Sequence, residues 1–175
     1  LLVGTLEPRK NFITALRAYT ILPKKIRKQY PLVFVGGDGW LNDEFEKISS
    51  SLISKGEVRM LGYLSSDDLK AIISASKIFF FPSLYEGFGL PVLEAMASGS
   101  PVISSNSTCL PEITGNAALL NEPLDEIGFM KSIYQVLQDN DLEEKLIQSG
   151  LNHVKNFTWE NCAKNTLNTY IKKLG

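Results

Sequence analysis

Cysteine and histidine are scarce in this 175-residue chain, which holds two of the first and one of the second. Cys109 and Cys162 are too few for a disulfide scaffold, and no Cys-x-x-Cys or His-x-x-x-His spacing offers a metal site. So little cysteine suits a reducing, cytoplasmic compartment, with both thiols expected as small apolar fillers. An excess of one charge is also lacking. The 18 Lys and Arg stand against 19 Asp and Glu, which removes the electrostatic footprint of a DNA- or RNA-binding protein. No apolar run approaches the roughly 18 residues that span a bilayer, and the opening Leu1-Leu2-Val3-Gly4 is too short for a signal peptide. Asn106-Ser107-Thr108 and Asn156-Phe157-Thr158 match the glycosylation acceptor pattern, which is short enough to recur by chance.

What is present is ordinary globular material. With 44% hydrophobic and 21% charged residues, the composition excludes disorder, collagen and coiled coil, and the length fits one domain. The chain opens at Leu1 without methionine, already inside an apolar run, and is expected to be one domain of something longer. From there strand-like and helix-like patterns alternate. Strands are expected at 1–3, 32–35, 58–61, 77–81, 102–103 and 117–120, and helices over 11–22, 41–54, 91–98, 127–137, 142–154 and 159–174. Ser65 and Asp68 form a capping box for one more helix, carrying Leu69, Ile72 and Ile73. The run Ile78-Phe79-Phe80-Phe81 has no polar face, as befits a parallel strand covered on both sides. Repeated strand–turn–helix units imply an α/β fold with a doubly wound, Rossmann-like parallel sheet, whose strand order the sequence leaves open.

Glycines and unusual polar residues collect just after the strand-like runs, at 4–10, 36–39, 62–63 and 86–90. In an open parallel sheet these loops share one rim, the rim where ligands bind. Gly87 and Gly89 permit positive φ and close backbone approach, and Pro91 suits the first turn of a helix whose free N–H groups attract phosphate. Glu86 and Glu94 border the same helix start. Two carboxylates beside an anion site make sense if they bind hydroxyls on either side of the phosphates; otherwise the segment is a tight turn with two surface glutamates. His153 is expected far from the rim, with no role as a base. Trp159, Ala163, Thr166 and Tyr170 form a stripe on the last helix.

Glu86 and Glu94, with seven residues between them within EGFGLPVLEAMASGSPV at 86–102, are joined by GTLEPRKN at 4–11, VGGDG at 35–39, GYLSSDDL at 62–69 and FTWEN at 157–161. In this order and over essentially the whole chain, the sequence resembles the C-terminal, nucleotide-sugar-binding domain of retaining glycosyltransferases of family 4. Those enzymes have the two-domain GT-B fold. GTLEPRKN resembles, more narrowly, mannosyltransferases of bacterial surface-polysaccharide assembly. The resemblance implies that 1–175 is a single donor-binding domain, that 157–175 is a crossover-type helix, and that the N-terminal acceptor domain is absent.

By position, the resemblance gives Glu86 the transferred sugar's hydroxyls and Lys10 the departing diphosphate; these two are the catalytic candidates. Gly87, Phe88, Gly89 and Leu90 meet sugar and diphosphate through their backbone, Glu94 the ribose, and Gly62, Tyr63 and Leu64 the base. Gly4, Thr5 and Gly37 complete the substrate-binding rim. Many members carry Arg where this chain has Thr5, so Arg9 stands as the replacement cation or as a solvated surface residue. No cofactor and no metal are implied. The substrate is a nucleoside-diphosphate sugar, GDP-mannose ahead of a UDP-hexose, and the acceptor a glycan or a lipid-linked sugar. The whole enzyme is then cytoplasmic, with peripheral attachment to the inner membrane face. The competing readings are a nucleotide-sugar epimerase of the same architecture, which lacks the paired-glutamate signature, and a non-catalytic nucleotide-binding module.

Overall fold

The computed structural model describes residues 1–37, 39 and 43–174. Asp38 and the expected helix start at Leu41 lie outside the described residues. Among the described residues, six short strands alternate with helices: β1 (Leu2–Val3), β2 (Leu32–Val35), β3 (Val58–Met60), β4 (Phe79–Phe81), β5 (Val102–Ser105) and β6 (Ala118–Asn121). They form two parallel three-stranded sheets, β1-β2-β3 and β4-β5-β6, registered for example by Leu2 opposite Phe34 and Phe79 opposite Val102. Leu1 joins the two sheets. It donates to the Ile78 carbonyl and accepts from the Phe80 N–H, both at 2.8 Å. Bonds to the residues on either side of Phe79 are those of a parallel bridge, so the strands run in the order β3-β2-β1-β4-β5-β6. That is a doubly wound sheet whose winding reverses between β1 and β4.

Helices cover both faces. On one side α1 (Phe12–Ile21), α2 (Lys24–Gln29), α3 (Asp43–Ile53) and α7 (Glu126–Gln138) pack Leu16, Phe45, Phe129 and Ile133 against Leu2, Phe34, Phe80 and Ile103. On the other, α4 (Ser66–Ser74), α5 (Leu90–Ala97) and α6 (Leu110–Thr114) pack Ile73, Val92, Met96 and Leu110 against Phe79, Phe81 and Val102. The three consecutive phenylalanines therefore divide as a strand must, with Phe80 facing one layer and Phe79 and Phe81 the other. Ser65 caps α4 by accepting the Asp68 N–H, as expected. α8 (Asn140–His153) packs beside α5 and α7, and Met96 lies so close to Gly150 that a Cβ there would sit 3.2 Å from it.

Two helices were not legible. α2 offers a single buried residue, Ile26, so no period can be read from it, and α6 is only five residues long with Pro111 in its first turn. β5 extends two residues beyond its apolar pair because Ser104 and Ser105 are buried with their hydroxyls bonded to backbone. The last helix, α9 (Trp159–Leu174), carries its stripe into solvent, with Trp159 90% and Tyr170 63% exposed.

The strand ends that open onto the rim are drawn together through glycine. Gly4 donates to Val35, and Gly36, at φ 149°, donates to Gly62. A Cβ on Gly36 would lie 2.0 Å from the Gly4 carbonyl oxygen, an impossible contact with backbone rather than with a movable side chain. Gly36→Ala is expected to destabilise the chain by about 3 kcal/mol, lowering Tm by roughly 6–12 °C. Thermal denaturation followed by circular dichroism checks this.

Candidate functional site

After Gly4 the chain passes through a single 3-10 turn, Pro8–Lys10, into Asn11, which has a left-handed backbone at φ 56°. The buried Asn11 amide does not cap α1. Its Nδ2 donates to the carbonyls of Pro82 at 3.0 Å and Pro123 at 2.6 Å, while its Oδ1 accepts from Thr14. One side chain thus ties the loop after β1 to the loops after β4 and β6. The Arg9 carbonyl adds a second tie by accepting the Leu84 N–H at 2.7 Å.

These ties bring Glu86 to Lys10 across the β1–β4 reversal. Lys10 Nζ donates to Glu86 Oε1 at 2.7 Å and lies 4.7 Å from the centre of the Phe81 ring. Ser83 Oγ donates to the same oxygen at 2.8 Å. Arg9 Nη1 takes the other, Oε2, at 2.9 Å, and is itself held by Glu7 through Nε at 2.9 Å. Lys10 and Glu86 are nearly inaccessible, with side chains 8% and 10% exposed, whereas Arg9 is 43% exposed. Burial pushes the Glu86 carboxyl up, but the hydrogen bonds from Lys10 and Ser83 and the charges of Lys10 and Arg9 outweigh it and hold the group below its ordinary value. Glu86 is therefore a fixed, ionised carboxylate with both oxygens occupied.

The α5 start stands beside this cluster. Gly89 takes φ 98°, and its α-carbon faces Leu110, so a Cβ would meet Leu110 Cδ2 at 3.0 Å. Gly87 has no positive φ and has open space where a Cβ would be, so of the two only Gly89 needs the left-handed backbone. Among the described residues, no hydrogen bond takes up the backbone N–H groups of Gly87, Phe88, Gly89 or Leu90. Phe88, Leu90 and Glu94 are exposed, Glu94 one turn into the helix. On the far side of the rim, Gly62 at φ 66° and the 85%-exposed Tyr63 follow β3, with Leu64 half-buried. Thr5 is exposed, and Gly37 accepts the Leu6 N–H. The expected rim residues thus lie on the segments that follow the carboxyl ends of the strands, Leu90 and Glu94 within the first turns of α5. Arg9, Lys10 and Glu86 make direct contact; Glu94 is not joined to them by any hydrogen bond or ion pair among the described residues.

The model for the family described as "Glycosyl transferases group 1" matches residues 1–153. The chain belongs to this family. It is 44% identical over 170 residues to the O-antigen chain mannosyltransferase B of Escherichia coli, covering 97% of this chain and 45% of that protein. Of solved structures, it is similar to the sucrose-phosphate synthase of Thermosynechococcus elongatus, with a TM-score of 0.76 and 26% identity over 99% of this chain and 45% of that one. It also matches the crystallised C-terminal domain of a glycosyl transferase group 1 protein of Francisella tularensis, with a TM-score of 0.77 and 24% identity over 89% of this chain and 83% of that one. The chain spans about half the length of that Escherichia coli protein. The expected architecture, the Rossmann-like C-terminal half of a GT-B glycosyltransferase, is the one found.

One expectation for this glycosyltransferase domain needs correction. Cys162 is exposed and is not an apolar filler. Cys109 is half-buried and packs against the core cluster of Phe79, Phe81 and Leu110, with its Sγ also 3.2 Å from the Glu86 carbonyl and 3.3 Å from that of Phe88. His153 stands one ring removed from the rim. Its Nε2 meets the Ile113 carbonyl at 2.9 Å, and its ring lies 5.2 Å from Phe157, whose ring in turn is 6.5 Å from Phe88. Sequence reasoning missed Asn11, Ser83 and Thr108, the last accepting the Glu86 N–H. Asn11 alone left a signal, standing inside GTLEPRKN. Among the described residues, no group of three or more His, Cys, Asp or Glu is placed to hold a metal, and no helix is long and apolar enough to cross a membrane.

Asn11→Asp keeps the shape of the side chain but removes both N–H donors and sets a carboxylate against two carbonyls. The expected loss is about 3 kcal/mol, read by urea unfolding at neutral pH. For Glu86, a lowered native pKa means that the unfolded chain binds the proton first. The stability it supplies is full above the ordinary value of 4.5 and is lost as pH falls through the lowered native value. Glu86→Gln should therefore flatten the acid limb of the stability–pH curve, while weakening the fold near neutrality by leaving Lys10 without its counter-charge. An unchanged acid limb would contradict this.

Proposed function

We propose that this domain is the nucleotide-sugar-binding half of a retaining glycosyltransferase that moves a hexose, mannose in first place, from a nucleoside diphosphate to a glycan or lipid-linked acceptor in surface-polysaccharide synthesis. The observation that carries the reading is the Lys10–Glu86 pair at the winding reversal, set beside the untethered amides at the start of α5. A buried cation and a helix N-terminus suit a diphosphate, and a fixed carboxylate suits sugar hydroxyls. Mannose rests on the name of the Escherichia coli relative and on the GTLEPRKN wording, and GDP on that wording alone.

In this reading the bond between the sugar's anomeric carbon and the diphosphate oxygen breaks while the acceptor oxygen joins the same face. The acceptor's proton passes to the departing diphosphate. Charge develops on the leaving group, and Lys10, already in place, stabilises it without reorganisation. Glu86 holds the sugar's hydroxyls, Glu94 the ribose, and the loop of Gly62, Tyr63 and Leu64 borders the base. Arg9, exposed and held among the described residues by the carboxylates of Glu7 and Glu86, is the cation that can turn from Glu86 to phosphate, in place of the arginine that Thr5 replaces. Two cations and a helix end take the role a divalent ion has elsewhere, so neither metal nor cofactor is required. An N-terminal domain brings the acceptor, and the whole enzyme works in the cytoplasm or at the inner face of the membrane.

Calorimetric titration of the chain with GDP, UDP and ADP, in EDTA, tests the reading. Selective binding of GDP is expected, weakened at least tenfold by Glu94→Ala as the ribose loses its charged partner. If a folded chain binds none of the three, or Glu94→Ala changes nothing, the nucleotide-sugar assignment falls.

A further inference from the structure

Regular pairing between β4 and β5 ends at Phe81 opposite Ser104, yet the two chains do not part there. Side chains take over from backbone. Ser104 Oγ donates to the Phe81 carbonyl at 3.0 Å and Ser105 Oγ to that of Ser83 at 2.5 Å. Ser107 Oγ donates to the Leu84 carbonyl. Thr108 Oγ1 accepts the Glu86 N–H at 3.2 Å, and Cys109 Sγ lies within reach of both the Glu86 and Phe88 carbonyls. Five of the six residues in Ser104-Ser105-Asn106-Ser107-Thr108-Cys109 thus grip the backbone of residues 81–88 in ascending order. The ladder runs from the sheet out to the α5 start.

We propose that Ser107, Thr108 and Cys109 are positioning residues, side-chain rungs that hold the backbone of residues 84–88 where Glu86 and the α5 amides can meet a nucleotide sugar. This rests on the nucleotide-sugar reading of the same site. Three features carry it. The rungs sit on the segment after β5, and among the described residues their hydrogen bonds to the loop all go to its backbone, so they act through the loop. They reach both ends of the Glu86 residue, its N–H and its carbonyl, leaving the carboxylate to Lys10, Ser83 and Arg9. And Thr108 holds a left-handed backbone, φ 52°, which a β-branched residue rarely adopts. Glycine would relax that strain. What threonine offers there and glycine does not is the hydroxyl that accepts from Glu86.

The strain separates positioning from general stability, because Thr108→Gly removes the rung and relieves the backbone together. Three readouts on the chain are compared for wild type, T108G and T108S: thermal midpoint, hydrogen exchange of the Glu86 amide, and affinity for GDP, UDP and ADP. In T108G the Glu86 amide is expected to exchange faster and nucleotide affinity to fall about three- to tenfold, the range of one net hydrogen bond, with a midpoint no lower than wild type. T108S, which keeps the hydroxyl, restores both. Unchanged exchange in T108G overturns the ladder, as does an affinity loss matched by a falling midpoint or left unrepaired by T108S. If the folded wild type binds no nucleotide, the nucleotide-sugar reading is overturned instead, and the exchange rates still decide whether the rungs order the loop.

Discussion

Where a doubly wound sheet reverses direction, two neighbouring parallel strands send their following segments to opposite faces and leave a crevice between them. In this chain that crevice lies at the seam of β1 and β4, joined through Leu1. Every feature of the candidate site depends on it. Lys10 follows β1 and Glu86 follows β4, seventy-six positions apart in sequence, and they meet because those strands are neighbours. Had β4 joined the other edge of the first sheet, two strands would stand between the same residues.

A buried ion pair is an awkward way to hold a seam, since taking both charges out of water offsets most of their attraction. The chain limits that cost by leaving neither ion with a single partner. Glu86 accepts from Lys10, Ser83 and Arg9, and Lys10 lies against the negative face of the Phe81 ring. The pair thus adds little net stability while fixing position and charge state. A neutral, apolar seam would pack as well and would have nothing to offer an anion.

How much of this the sequence disclosed follows the range of each interaction. Strands and helices with a clear apolar period were legible, and so was the shared rim, because strand ends in a parallel sheet all point one way. The paired glutamates and Lys10 stood out because each sits in a short run of unusual residues. Strand order was hidden, since it depends on the contact between Leu1 and the strand carrying Phe79. Hidden for the same reason were Asn11's two carbonyls, one of them 112 residues away, and the serine–threonine–cysteine rungs, 21 to 23 residues from the backbone they hold. Side chains that bond to backbone leave no complementary residue type to read. Cys162, judged on residue type alone, is exposed because the helix that carries it lies in solvent.

The two ways in which the loop of Glu86 is held are not equivalent. Its backbone is gripped by neutral hydroxyls and a thiol on a segment anchored in the sheet, and these bonds are indifferent to what occupies the crevice. Its carboxylate is gripped by cations, one buried and one exposed, for which a phosphate is a competing partner. On the nucleotide-sugar reading, arrival of the substrate can redistribute the charges without moving the backbone that presents the amides. Arg9 gives way most readily, being exposed and shared with Glu7, whereas Lys10 can serve Glu86 and a phosphate together from one position through its three N–H groups. Electrostatic stabilisation of a leaving group is effective to the extent that its dipoles and charges stand in place beforehand. The neutral ladder supplies that prior order, and the ionic pair supplies the charge that the order exists to place.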